Sequence, residues 1–69
     1  MMNFKLDKEY IELYILLKLT NIAESGGMAK HIIAAGHVTV DGNVEKRKAC
    51  KIRNGQVVKV GDETVVVNV

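Results

Sequence analysis

Ser25-Gly26-Gly27-Met28-Ala29-Lys30-His31-Ile32-Ile33-Ala34-Ala35-Gly36-His37-Val38-Thr39-Val40-Asp41-Gly42 holds a helical period followed at once by a strand period. Ser25 is a good N-cap, because its hydroxyl can accept from a backbone N–H of the first turn, and Gly36 suits the left-handed residue that closes a helix. The stretch between them predicts a helix over 26–35, with Ala29, Ile32 and Ile33 on a buried face and Gly27, Lys30, His31 and Ala34 on the outer one. Beyond Gly36 the period falls to two, with Val38 and Val40 on one side and Thr39 on the other. Asp41-Gly42 is a two-residue signal for a type I′ hairpin, whose central residues both need positive φ.

Upstream, Asp7 reads as the N-cap of another helix over 8–19, with Tyr10, Leu13, Tyr14 and Leu17 at helical spacing, Glu9 and Glu12 early and Lys18 late. Ile11, Ile15, Leu16 and Leu19 widen its apolar arc, so this helix is expected to be the main donor to the core. Downstream, a regular return strand placing Val44 inward would bury Lys46 and Lys48 on the same face, which the cost of burying charge forbids. The strand is therefore expected to end near Glu45, leaving 46–50 as a loop. Ile52 then alternates with Lys51 and Arg53, Val58 and Val60 alternate with Lys59, and Gly61-Asp62 turns the chain into a last strand over 63–69. The expected fold is α+β, with two N-terminal helices packed on a small, twisted, mainly antiparallel sheet.

At 69 residues the chain has room for one domain, 1–69, and its 48% apolar content supplies a core. The longest strongly apolar run, 13–17, is far below the roughly 20 residues of a membrane span. The first residues lack the apolar segment of a secretory signal, so the expected location is the cytoplasm, away from membranes. A lone cysteine, Cys50, makes no internal disulfide, and with only His31 and His37 besides, the chain offers no convincing zinc set and no sign of a cofactor. No Ser/His/acid or Cys/His spacing suggests a nucleophile with its base, so no catalytic residue is assigned and an enzyme is not expected.

Charge is unevenly distributed. Residues 30–53 carry Lys30, Lys46, Arg47, Lys48, Lys51 and Arg53 against Asp41 and Glu45, while the stretches on either side are mildly acidic, so the +2 net charge hides a basic block. Such a block is a candidate footprint for a polyanion. The competing reading is a solvated surface that also guards a sheet edge. The aromatics Phe4, Tyr10 and Tyr14 all precede the block, the two tyrosines within the expected first helix, so a base-stacking platform is not expected and contacts should run to phosphate and sugar. His37 reads as a surface residue. Cys50 reads either as a small core hydrophobe or as a thiol whose ionised form the cations at Lys48, Lys51 and Arg53 favour.

The Ser25–Lys30 run, the paired Ile32-Ile33 and the Gly36-His37-Val38-Thr39-Val40-Asp41-Gly42 hairpin, followed by Gly61-Asp62 before the last apolar strand, together resemble the RNA-binding domain first described in ribosomal small-subunit protein S-four. The likeness covers about 10–67. Leu16-Leu17-Lys18-Leu19 and the Ser-Gly-Gly-x-Ala-Lys form are similar to the short stand-alone bacterial members, the YbcJ-like and YaaA-like proteins. The resemblance implies a non-catalytic module that binds structured RNA, ribosomal or transfer; the expected state of the chain is a monomer. It also implies that the RNA lies across the second helix and the hairpin, with Lys30 and His31 at helix positions that are often basic. Gly26 and Ala34 stand where many members carry Arg, which shifts the expected contacts toward Lys46, Arg47, Lys48, Lys51 and Arg53. Ser25, Gly26 and Gly27 complete the expected set, through free N–H groups at the helix start or, equally, as a simple cap and a close packing point. A rival of another class is a protein-interaction adaptor that uses outward Val66 and the last strand as an open sheet edge.

Overall fold

The chain begins with a strand, and that changes both ends of the expected architecture. The structure, a computed structural model, describes all 69 residues, Met1–Val69. β1 (Met2–Lys5) and β2 (Ile11–Glu12) precede α1 (Leu13–Leu19) and α2 (Gly26–Ala34). β3 (Val38–Val40), β4 (Asn43–Val44), β5 (Lys51–Ile52), β6 (Val57–Val60) and β7 (Glu63–Asn68) follow. Five strands form one sheet in the order β1-β7-β6-β3-β4, antiparallel except for the β1–β7 pair, and β2 with β5 forms a separate two-stranded ribbon. The class is α+β as expected, but the helices are not N-terminal.

The first helix is shorter than its periodicity suggests, and Asp7 does not cap it. Ile11 and Glu12 pair antiparallel with Ile52 and Lys51, which puts Ile11 and Ile52 against the core and takes Tyr10 out of the helix. Glu12 occupies the N-cap position in extended conformation with no side-chain cap. The first helical N–H groups go instead to the distant loop, Leu13 to the Cys50 carbonyl at 2.9 Å and Tyr14 to the Lys48 carbonyl at 3.0 Å. Burial of two isoleucines, each worth about 1.5–3 kcal/mol, outweighs one more turn of an exposed helix.

The second helix follows its pattern closely. Ser25 Oγ accepts from the Met28 N–H at 3.1 Å, Ala29 and Ile33 are buried, and Gly36 beyond the C-cap has φ +84°. Asp41 and Gly42 have φ +50° and +87°, the two positive values of a type I′ turn. The return strand does end at Val44, but for a different reason than expected, because Val44 is exposed rather than inward. The Glu45 N–H bonds the Val38 carbonyl at 2.9 Å, and the chain then leaves the sheet.

The core consists of 14 buried residues, all apolar, drawn from both helices, five of the strands and the connecting residues Leu6 and Ala23, and no buried side-chain polar atom lacks a partner. Val38, Val58, Val65 and Val67 point from the sheet to Leu13, Leu16, Leu17 and Ile33. The last strand is not an edge, since β7 lies between β6 and β1 with Val66 opposite Asn3. The adaptor reading loses its docking edge, because β1 already occupies the hydrogen-bonding groups that an added strand would use. No helix is long and apolar enough to cross a membrane.

Candidate nucleic-acid interface

The loop after β4 is held at several points, so its cations have defined positions. Glu45 is tied to β3 through the Val38 carbonyl, Cys50 N–H closes a turn onto the Arg47 carbonyl at 3.2 Å, and the Lys48 and Cys50 carbonyls accept from the start of α1. The loop is thereby set beside α2. Between them lies an open groove of about 580 Å3, with Lys30, His31 and Ala34 of α2 on one wall and Lys46, Arg47, Lys48 and Ala49 on the other. Five of the expected RNA-contacting residues, separated by up to 18 positions in the chain, line this one concavity. The stem of Lys46 passes Gly36, where an added Cβ would stand 3.4 Å from Lys46 Cε.

Two of the groove's cations are steadied by neighbours. Arg47 lies side-on against Glu45, with Nε to Oε2 at 2.9 Å and Nη2 to Oε1 at 3.1 Å, and its backbone N–H also donates to Oε2 at 2.9 Å. The Arg47 guanidinium and N–H hold the Glu45 carboxyl down at about 2. Glu45 therefore stays ionised through ordinary pH. Across the groove, the Lys30 ammonium sits 4.8 Å from the centre of the Tyr14 ring, a cation–π contact.

The other expected contacts fall outside the groove. Lys51 borders Arg47 and Cys50 in a neighbouring depression. Its ammonium lies 5.0 Å from the Tyr10 ring centre. Arg53 lies farther along the chain beyond β5, over the same ring at 5.6 Å and paired with Glu9 at 3.2 Å, so its charge is already partly answered. Ser25, Gly26 and Gly27 stand at the start of α2, before Lys30. Ser25 acts as the cap, while the Gly26 and Gly27 N–H groups have no protein acceptor. A Cβ at Gly26 would make only ordinary 3.9 Å contact with the Tyr14 ring, so neither close packing nor backbone strain demands that glycine.

Cys50 is half-buried against the core, and burial, followed by the nearby Glu45 charge, pushes its thiol up. The direction fits the core-hydrophobe reading of Cys50 better than the activated thiolate, because desolvation and the Glu45 carboxylate outweigh the Arg47 guanidinium. No group of three His, Cys, Asp or Glu residues is placed to hold a metal ion.

Residues 4–68 match the model of the S4 domain. The chain belongs to the S4-domain family. Within that family it is similar to YbcJ of Escherichia coli, with 50% identity over 68 residues and 97% of each chain covered. It is also similar to RlbA of Bacillus subtilis, a protein named for ribosome maturation, at 36% identity over 80% of this chain and 78% of RlbA. The solution structure of E. coli YbcJ, described as revealing an alfa-L motif involved in RNA binding, superposes with a TM-score of 0.78 at 48% identity, covering 100% of this chain and 89% of that one. The 30S ribosomal protein S4e of Thermoplasma acidophilum shares the fold, with a TM-score of 0.63 at 22% identity, over 84% of this chain and 31% of that protein.

Tyr14 and Glu45 are the participants that sequence reasoning missed in this S4 domain. Tyr14 is assigned by its spacing to the core side of a helix, and it does pack against the core, but its half-buried ring also sits between Gly26 and Lys30. Glu45 counts in the sequence only as one of two acids diluting a basic block. The Glu45-Lys46-Arg47 spacing was the available signal, since a carboxylate two residues before Arg can close both on its N–H and on its guanidinium.

Proposed function

We propose that this S4 domain is a non-catalytic RNA-binding module of the cytoplasm that acts as a monomer and grips the phosphate backbone of structured RNA, ribosomal or transfer, across α2 and the 45–50 loop. The observation that carries the reading is the groove between them, where Lys30 and His31 face Lys46, Arg47 and Lys48 with no carboxylate among the lining residues. Phosphates are the polyanion such a concavity suits, and the family and the YbcJ structure's RNA-binding motif supply the chemical class. The ribosome-maturation name of RlbA favours ribosomal RNA. Lys51 and the Gly26 and Gly27 N–H groups extend the face on either side, and Arg53 contributes at its margin. The direct test is titration of a fluorescein-labelled ribosomal RNA hairpin with the protein over a series of salt concentrations. Binding that falls linearly in log affinity against log salt is expected. Absence of binding at low salt would remove the reading.

A further inference from the structure

We propose that Glu45, the one acid that touches the basic loop's side chains, is a positioning residue for RNA, which holds Arg47 so that the free end of its guanidinium meets a phosphate. The inference rests on the RNA-binding reading above and adds a role to which simple charge counting would give the opposite sign. Glu45 takes the side-on edge of the guanidinium, Nε and Nη2, and also the Arg47 backbone N–H. A guanidinium has five N–H hydrogens, and this grip consumes two of them. Both hydrogens on Nη1 and the second on Nη2 remain, and Nη1 has no protein acceptor. The paired Nη1 and Nη2 hydrogens form the end-on fork that matches two phosphate oxygens.

The surroundings support a grip that orients rather than masks. The Glu45 side chain is only 17% exposed while that of Arg47 is 79% exposed, so the carboxylate lies beneath and the cation outward. The Glu45 backbone is fastened to β3 through Val38, so the carboxylate reaches Arg47 from a main chain that the sheet holds in place. An unheld arginine would lose side-chain freedom on binding, and one already held loses less. Ionised Glu45 also lies beside the incoming phosphate, which costs some attraction. The proposal is that the gain in fixed geometry exceeds this repulsion.

The two effects have opposite signs, so Glu45→Gln decides between them. Affinity for a fluorescein-labelled ribosomal RNA hairpin is measured for the parent, Glu45→Gln, Arg47→Ala and the double variant, with melting curves confirming that each is folded. Glu45→Gln is expected to weaken binding about tenfold although it raises the net charge by one, the scale of one charge-assisted hydrogen bond deprived of its geometry. With Arg47→Ala already present, Glu45→Gln is expected to leave affinity unchanged or to raise it, because only the repulsion is left to remove. Tighter or unchanged binding by Glu45→Gln in the parent would overturn the proposal, as would a loss of the same size in both backgrounds. If Glu45→Gln does not fold, Arg47→Lys carries the test, since it keeps the charge and lacks the fork. Binding as weak as Arg47→Ala supports the proposal, and parental affinity overturns it. Failure of the parent itself to bind RNA is a separate result that removes the RNA-binding reading.

Discussion

The backbone N–H of Tyr14 donates to the carbonyl oxygen of Lys48 at 3.0 Å, so the basic loop is the cap of the first helix. A helix start has N–H groups with no internal acceptor, and Glu12 supplies none from its side chain. The loop carbonyls of Lys48 and Cys50 satisfy two of them, and in return the loop is pinned against α1, whose Tyr14 ring lies on α2. Lys46, Arg47 and Lys48 are thereby set opposite Lys30 and His31 by backbone bonds, while their side chains stay exposed.

Removal of two cations from this loop should leave fewer phosphates neutralised without unfolding the chain. Arg47→Ala with Lys48→Ala is expected to flatten the slope of log affinity against log salt by roughly 0.7–0.9 for each phosphate left without its cation, about equally for different RNAs. Lys5→Ala with Lys8→Ala removes the same formal charge from the N-terminal stretch, away from the groove. Equal weakening in the two double variants would mean that net charge, and not this face, governs binding.

Ligand shape provides a second check. Tyr10 and Tyr14 are each covered by cations rather than laid open as a stacking platform, so backbone geometry should dominate recognition. In competition for a bound probe, hairpin RNA is expected to displace better than an unstructured pyrimidine strand of equal length. The reverse order would sink the claim.

Acid should loosen the loop through Glu45. Its folded carboxyl is lowered from 4.5 to about 2, so the stability it contributes is present in full above about pH 5 and drains away as pH falls toward 2. Glu45→Gln has no carboxyl to protonate there. The drop in Tm between pH 6 and pH 3 is therefore expected to be smaller in Glu45→Gln than in the parent, measured by circular dichroism in buffers of matched ionic strength. An equal drop in both would show that the loop pair adds nothing to acid sensitivity.

The hairpin tip makes the simplest stability test. Gly42 has φ +87°, a region that costs a residue with a Cβ about 1–2 kcal/mol and a β-branched one more. Nothing lies within 4 Å of a Cβ added there, so backbone strain alone is tested. Gly42→Val should lower Tm by several degrees while leaving the fold intact. An unchanged Tm would show that the turn relaxes at no cost.

Elements whose hydrogen bonds close within a few residues were legible from the chain alone. Ser25 reaches Met28, Gly36 ends the same helix, and Asp41-Gly42 joins adjacent strands, so each signal and its partner lie within one short window. The resemblance built on that window named the family correctly. The 46–50 loop was also foreseen, although through an inward Val44 that is in fact exposed. What the chain could not display locally was pairing across its length: Met2–Lys5 beside the last strand, Ile11 with Ile52, and Leu13 and Tyr14 capped from Cys50 and Lys48. In the 8–12 stretch, helical spacing and burial made competing demands, and burial against a strand some 40 residues away prevailed because an exposed helical turn brings little free energy of its own. The basic character of the face was therefore set by residue types in the sequence. The groove and the seat of Lys30 on Tyr14 were decided by tertiary structure, since only packing sets the loop, α1 and α2 side by side, whereas the grip of Glu45 on Arg47 closes within two residues.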